Sequence, residues 1–197
     1  MQSFYQALDK YNAANGDLAK IEENKLWETY GKDRAVLCLD MSGFTYLVQK
    51  HGLTHFLGMI RRMQLATAPI VKRFNGEIIK FEADNLYSCF NKVEDAIQAA
   101  ISINIALQAM NTMTEDTKDL FVSIGIAYGK ILLIEGKDMF GDAVNLASKL
   151  GEDIAERGEI LVTKEAKAKL ENKDEFEFKP QQYSVSGISL EVLKVLY

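Results

Sequence analysis

Five consecutive apolar residues, Ala35-Val36-Leu37-Cys38-Leu39, run directly into a carboxylate, Asp40. An unbroken apolar run of that length predicts a buried strand. Such a strand cannot solvate a carboxylate at its end, which makes Asp40 a candidate functional group. One use for it is to cap a helix beginning near Ser42 to Thr45. Another is to serve a ligand, because the backbone around Ser42-Gly43-Phe44 offers N–H groups at a helix N-terminus to phosphate oxygens.

The pattern on either side of this strand sets the fold. Residues 1–30 are polar and mixed in charge, with scattered Phe4, Tyr5, Leu8, Leu18, Ile21, Leu26 and Trp27, and Asn15-Gly16 divides them into two helical pieces. This segment reads as helix packed on the domain or on a dimer mate, with a regulatory transmitter helix as the second reading. The globular domain, residues 31–197, opens with the apolar strand. Phe56, Met59, Ile60, Met63, Ile70 and Phe74 then predict a long amphipathic helix, interrupted at Pro69 and stopped at Asn75-Gly76. Glu77 to Phe90 reads as two strands around a tight turn near Ala83-Asp84-Asn85. Val93, Ala96, Ile97, Ala100, Ile101 and Leu107 mark a second long helix. Leu120 to Ile134 predicts two strands broken at Tyr128-Gly129-Lys130. A helix after Asp138, a strand from Glu159 to Val162, a Lys-rich helix from Lys164 and closing strands complete the chain. The order β-α-β-β-α-β is that of an α+β, ferredoxin-like fold, here with extra C-terminal strands and an N-terminal helical segment. Many functions share it, so function has to come from the residues it carries.

Composition narrows the classes. Apolar residues make up 48% of the chain, enough for a real core and against disorder. The 28 acidic and 23 basic residues leave a net charge of −5, which gives no basic surface for nucleic acid. Cys38 and Cys89 both fall in strand-like segments and are expected as buried free thiols in a reducing compartment. No apolar stretch approaches the ~20 residues of a membrane span, and the N-terminus lacks the pattern of a signal peptide. A cytoplasmic chain without membrane or nucleic-acid partners is the expectation.

Asp84, in the predicted hairpin turn, is a second carboxylate. Turns favour Asp for local reasons alone. Paired with Asp40, however, it matches the demand of Mg²⁺ for hard oxygen ligands, few of them from protein. Two such ions, bridging two carboxylates and a triphosphate, can activate a hydroxyl and stabilise a pyrophosphate leaving group. Residues Asp138 to Lys149, DMFGDAVNLASK, set a carboxylate, an amide and a cation at fixed offsets across a loop entering an amphipathic helix. Val144, Ala147 and Leu150 form its predicted buried stripe. Asn145 and Lys149 are left one turn apart on a second face, within reach of one anion, and Asp138 can read a ligand group from the loop. His51 and His55 have a metal-compatible spacing, but no Cys, Asp or Glu completes a set, so they read as surface residues. Lys164, Lys167 and Lys169 read as a solvated helix face.

Asp138 to Lys149 resembles the signature of the class III nucleotidyl cyclases, D-x-W/F-G-x-x-V-N-x-A-S-R, with Lys149 in place of the arginine. LCLDMSGFT, Leu37 to Thr45, is similar to that family's F-x-D-I-x-G-F-T, and Ile79 to Asp84 is similar to its I-K-x-x-G-D. The resemblance runs from Ala35 to Val162. It implies the class III cyclase fold and formation of a 3′,5′-cyclic nucleotide and pyrophosphate from a nucleoside triphosphate. By the same resemblance, Asp40, Met41 and Asp84 are the metal-site residues for two Mg²⁺ or Mn²⁺ ions per site. Gly43, Phe44 and Thr45 contact substrate, Lys80 and Asp138 read the base, Asn145 positions the ribose, and Lys149 stands at the transition-state arginine. The sites are implied to be shared across a homodimer, metal carboxylates from one subunit and the other groups from its partner. A lysine donor and an aspartate acceptor complement adenine's N1 and N6, which favours ATP, although cytosine presents the same pattern.

Three departures bear on that reading. Lys149 keeps the charge but not the planar fork of arginine. Glu82 faces the same side as Lys80 and either holds it or competes with the base for it, and Ala83 replaces a glycine. Ser186-Gly187-Ile188-Ser189 lacks the lysine that many relatives place against the triphosphate. Two other functions therefore stay open: a nucleotide-binding pseudo-cyclase with weak or no activity, and a cyclase acting on CTP or UTP.

Overall fold

The computed structural model describes residues 3–43, 50–185 and 188–197. Phe44 and Thr45, two of the expected substrate contacts, and the Ser186-Gly187 pair lie outside the described residues. Helices α1 (Phe4–Ala13) and α2 (Asp17–Tyr30) precede strand β1 (Gly31–Met41). Helix α3 (Leu53–Arg73), strands β2 (Glu77–Glu82) and β3 (Asn85–Phe90), helix α4 (Val93–Asn111) and strand β4 (Val122–Ile134) complete the βαββαβ unit. There follow β5 (Asp138–Phe140), α5 (Asp142–Ser148), a π-helical turn (Lys149–Ile154), β6 (Ile160–Thr163), α6 (Lys164–Ala168), β7 (Glu177–Val185) and β8 (Ile188–Leu196).

One sheet runs in the order β2-β3-β1-β4-β6-β8-β7, with β5 paired to the outer end of β4. β1 lies between β3 and β4, antiparallel to both, which is the ferredoxin-like core, and the parallel β4–β6 pair carries the extra strands. The apolar run in β1 is buried on both faces because both are covered. Ala35, Leu37, Leu39 and Met41 pack under α3 and α4 with Met63, Ile97 and Ile103. Val36 and Cys38 face the other way, against Ala127, Ile131, Ala143 and Ala147. Asp40 follows Val36 and Cys38 in the strand alternation and so belongs to this second face.

Several elements differ from the sequence reading. Helix α3 continues through Pro69. The residue is exposed, so the Leu65 carbonyl that loses its N–H partner is on a side where water can replace it. Strand β4 is continuous across Tyr128-Gly129-Lys130. Gly129 is there for close approach rather than a break, since an added Cβ would sit 3.2 Å from that of Ala143 in α5. Asp138 begins a short strand instead of lying in a loop. In α5 it is Ala143 that is fully buried with Ala147, while Val144 is only partly covered. A small residue is required where the helix lies this close to β4. Among the described residues, no helix is long and apolar enough to cross a membrane.

Candidate active site

The second face of the sheet gathers the polar groups singled out above. At one end, Asp40 on β1 and Asp84 in the β2–β3 turn are both half-buried. Burial, then the charges of Asp84 and Glu152, raise the Asp40 carboxyl to about 7 against a hydrogen bond from the Met41 N–H. Asp84 is also raised, by burial and then by Glu152. Among the described residues neither carboxylate forms an ion pair. Ala83, which precedes Asp84, takes a left-handed φ of 50°, a conformation that glycine adopts at lower cost. Gly43 is exposed with φ 91°, next to Ser42, whose N–H donates to the Phe121 carbonyl at 2.9 Å.

These residues fit a divalent cation. Two half-buried carboxylates that are both raised, with no cationic partner among the described residues, are short of positive charge. The side-chain oxygen of Asn85, immediately after Asp84, is buried and finds no donor among the described residues. A buried acceptor of this kind is costly unless something supplies a positive partner. No group of three or more His, Cys, Asp or Glu among the described residues stands close enough to share an ion. That leaves Asp40 and Asp84 as two carboxylates that could hold a hard cation with substrate and water oxygens completing its shell.

Some distance along the same face, Lys80 and Asp138 meet, Nζ to Oδ1 at 3.2 Å. The register of β2 against β3 slips between Ile78 and Lys80. This bulge sends Ile79 into the second core with Val36 and Cys38 and leaves Lys80 on that side too, 5.1 Å above the Tyr87 ring. Bulges re-aim side chains in this way. Asp138 is brought alongside by the pairing of β5 with β4, and its Oδ1 also accepts the Met139 N–H at 2.9 Å. Glu82 takes a second N–H of Lys80 at 2.8 Å. That hydrogen bond, opposed by burial and followed by Asp138, holds the Lys80 ammonium above the ordinary lysine value.

Asn145 is exposed on α5. Lys149 opens the π-helical turn and pairs with Asp153 at 2.7 Å, so its ammonium already has a partner on its own helix. Glu152 and Tyr87 carry no signal in the sequence. The Tyr87 hydroxyl donates to Glu152 Oε1 at 2.7 Å and the Cys38 thiol reaches the same oxygen at 3.5 Å. Burial, then Glu152, push that thiol well above its usual range, and both cysteines are free and buried. His55 hydrogen-bonds the Thr117 carbonyl at 2.9 Å through Nε2. A cavity of about 490 Å³ lies elsewhere, lined by residues of α1, α2, the start of β1 and the end of β4 such as Lys25, Tyr30, Lys32 and Leu133.

A ferredoxin-like core with paired carboxylates at one end and a lysine–aspartate pair at the other defines a nucleotidyl cyclase domain. The chain belongs to the adenylate and guanylate cyclase catalytic domain family, whose model it matches over residues 29–194. It is 33% identical over 129 residues to an adenylate cyclase of Streptomyces coelicolor, covering 65% of this chain and 32% of that protein. The chain spans 22% to 32% of the length of the curated relatives it matches. Among solved structures, an adenylate/guanylate cyclase/hydrolase from Silicibacter pomeroyi superposes with a TM-score of 0.70 at 27% identity, over 85% of this chain and 98% of the other. The guanylate cyclase domain of a Catenaria anguillulae protein in complex with GTP gives 0.70 at 16% identity, over 84% and 96%, and that likeness shows the fold alone.

Proposed function

We propose that this chain is an adenylyl cyclase, forming 3′,5′-cyclic AMP and pyrophosphate from ATP at sites shared between two copies of itself. The observation that carries the substrate is the Lys80–Asp138 pair at 3.2 Å. A third N–H of Lys80 is free to donate to adenine N1, and the Oδ2 of Asp138 is free to accept from N6. Asn145 supplies an amide to the ribose, and Lys149 a cation to the phosphates once it turns from Asp153. Asp40 and Asp84 would hold the divalent cations, Mg²⁺ or Mn²⁺, which when bound favour loss of the 3′-hydroxyl proton and offset charge on the departing pyrophosphate. The 3′-oxygen bonds to the α-phosphorus as the bond from that phosphorus to the bridging oxygen breaks, and the hydroxyl proton leaves to solvent. No protein nucleophile is needed. The open face on which these groups lie is what half of a shared site presents.

One observation favours a second reading. Lys149 is held by Asp153 at 2.7 Å and Lys80 by Glu82 at 2.8 Å, and in a nucleotide-binding module without turnover both pairs would persist. Incubation of the purified protein with an equal mixture of ATP, GTP, CTP and UTP plus Mn²⁺, read by mass spectrometry, separates the possibilities. Cyclic AMP as the dominant product is expected. Asp40→Ala is expected to cut its formation by at least about 10²-fold. A cyclic pyrimidine product would overturn the base assignment alone. Nucleotide binding without any cyclic product, in Lys149→Arg as well, would establish the binding module.

A further inference from the structure

The π-helical turn after α5 is seated directly on the sheet by two glycines. A Cβ on Gly151 would lie 2.8 Å from the Cys38 carbonyl oxygen, and one on Gly125 would lie 2.2 Å from the Ala147 carbonyl oxygen and 2.6 Å from the Gly151 nitrogen. This close approach carries Glu152 across β1, where one carboxylate oxygen takes the Tyr87 hydroxyl at 2.7 Å and the Cys38 thiol at 3.5 Å. Both fixed contacts go to Oε1, and Glu152 is exposed, with no hydrogen bond to its second oxygen among the described residues. π-Turns of this kind occur mostly at functional sites. Asn85 lies one step along the register from the Leu39–Leu86 pair, in line with Asp40, and its buried oxygen lacks a donor among the described residues. Glu152 thus touches Cys38, two residues before Asp40 on the same strand face, and among the described residues none of Asp40, Asp84 and Glu152 forms an ion pair.

We propose that Glu152 is a positioning carboxylate of the divalent-cation centre, held in place by Tyr87 and acting on the Asp40–Asp84 pair from outside the set of direct ligands. The inference rests on the reading of Asp40 and Asp84 as the cation pair. Glu152 is tied to Tyr87 through an oxygen already in use, and among the described residues no third acidic group stands close enough to share an ion directly. Its contribution is negative charge and a fixed acceptor at the rim, as carboxylates around metal ligands commonly provide. Electrostatically it already acts on both members of the pair. The Tyr87 ring beneath Lys80 joins this end of the face to the lysine–aspartate end.

The test is Mn²⁺ binding to the purified full chain, followed by the electron paramagnetic resonance signal of free Mn²⁺, with no nucleotide present. Asp40→Asn is expected to abolish binding, and Glu152→Gln to weaken it about tenfold. Glu152→Asp should recover part of the loss, which a merely structural role would not grant. Tyr87→Phe keeps the ring under Lys80 and removes only the hydroxyl. It should weaken binding about two- to threefold, less than loss of the carboxylate itself. The double variant should bind no more weakly than Glu152→Gln, because the tyrosine acts through the glutamate. Wild-type affinity in Glu152→Gln, with binding lost in Asp40→Asn, would overturn this inference and leave the cation pair standing. Unchanged binding in Asp40→Asn, or none in the wild type, would remove the cation pair and the inference with it. Should Glu152→Gln fail to fold, unchanged affinity in Tyr87→Phe overturns the proposal.

Discussion

Burial and the neighbouring Asp84 and Glu152 charges raise the Asp40 carboxyl to about 7, so the side chain changes state near neutral pH. The sign follows from linkage. A carboxyl whose folded value is raised favours the folded state below its unfolded value and loses that contribution as pH rises through the folded value. Asp84 is shifted in the same direction. Metal-free protein is therefore expected to lose melting temperature between about pH 4 and pH 7, and the fall should be shallower in Asp40→Asn. Adding Mn²⁺ should reverse the trend, since the cation competes with the proton and binds better as pH rises. Thermal melts across that range, with and without Mn²⁺, measure both effects. An identical slope in wild type and Asp40→Asn would show that the carboxylate carries no such strain.

At the scale of elements, close approach between α5, its π-turn and the central strands positions the site. A methyl group on Gly125 has no room, with the Ala147 carbonyl oxygen 2.2 Å away and the Gly151 nitrogen 2.6 Å away. Gly125→Ala is expected to cost about 1–3 kcal/mol, because the turn must lift from β4. That corresponds to a loss of about 2–12 °C in melting temperature for a chain of this size. A urea titration at constant slope would report it, and an unchanged midpoint would mean that the turn is not seated as described. The same packing explains what could be read from the sequence. Asp40, Asp84, Lys80 and Asp138 could be singled out because each sits in a short motif with a local pattern, and the βαββαβ order was legible because α3, α4 and β1 carry clear periodicity. Gly129 and Pro69 misled because a breaker residue looks alike whether it ends an element, allows a close contact or sits harmlessly on an exposed face. The bulge at Ile79 and the contact of Tyr87 with Glu152 have no local signature. One depends on strand pairing, and the other joins residues 65 apart in sequence.

For the whole molecule, the proposed function asks one face to serve two sites. Asp40 and Asp84 lie at one end of the face, with the Lys80–Asp138 pair further along it and Asn145 and Lys149 on α5 and its π-turn. A two-fold pair of chains with these faces opposed sets each end against the partner's opposite end. Two composite sites result, each using the carboxylates of one copy and the base-reading groups of the other. Asp40→Ala and Asn145→Ala should then each be inactive alone, yet complement when their dimers are dissociated and mixed in equal amounts. Random pairing makes half of the dimers mixed, and each mixed dimer has one intact site of two, so about a quarter of wild-type activity should return. The measurement is cyclic nucleotide formed per total protein, with the mixed dimer verified by native mass spectrometry. Recovery near that fraction requires sites shared between chains. If mixed dimers form and no activity returns, each site is built within a single chain, and the open face has another use.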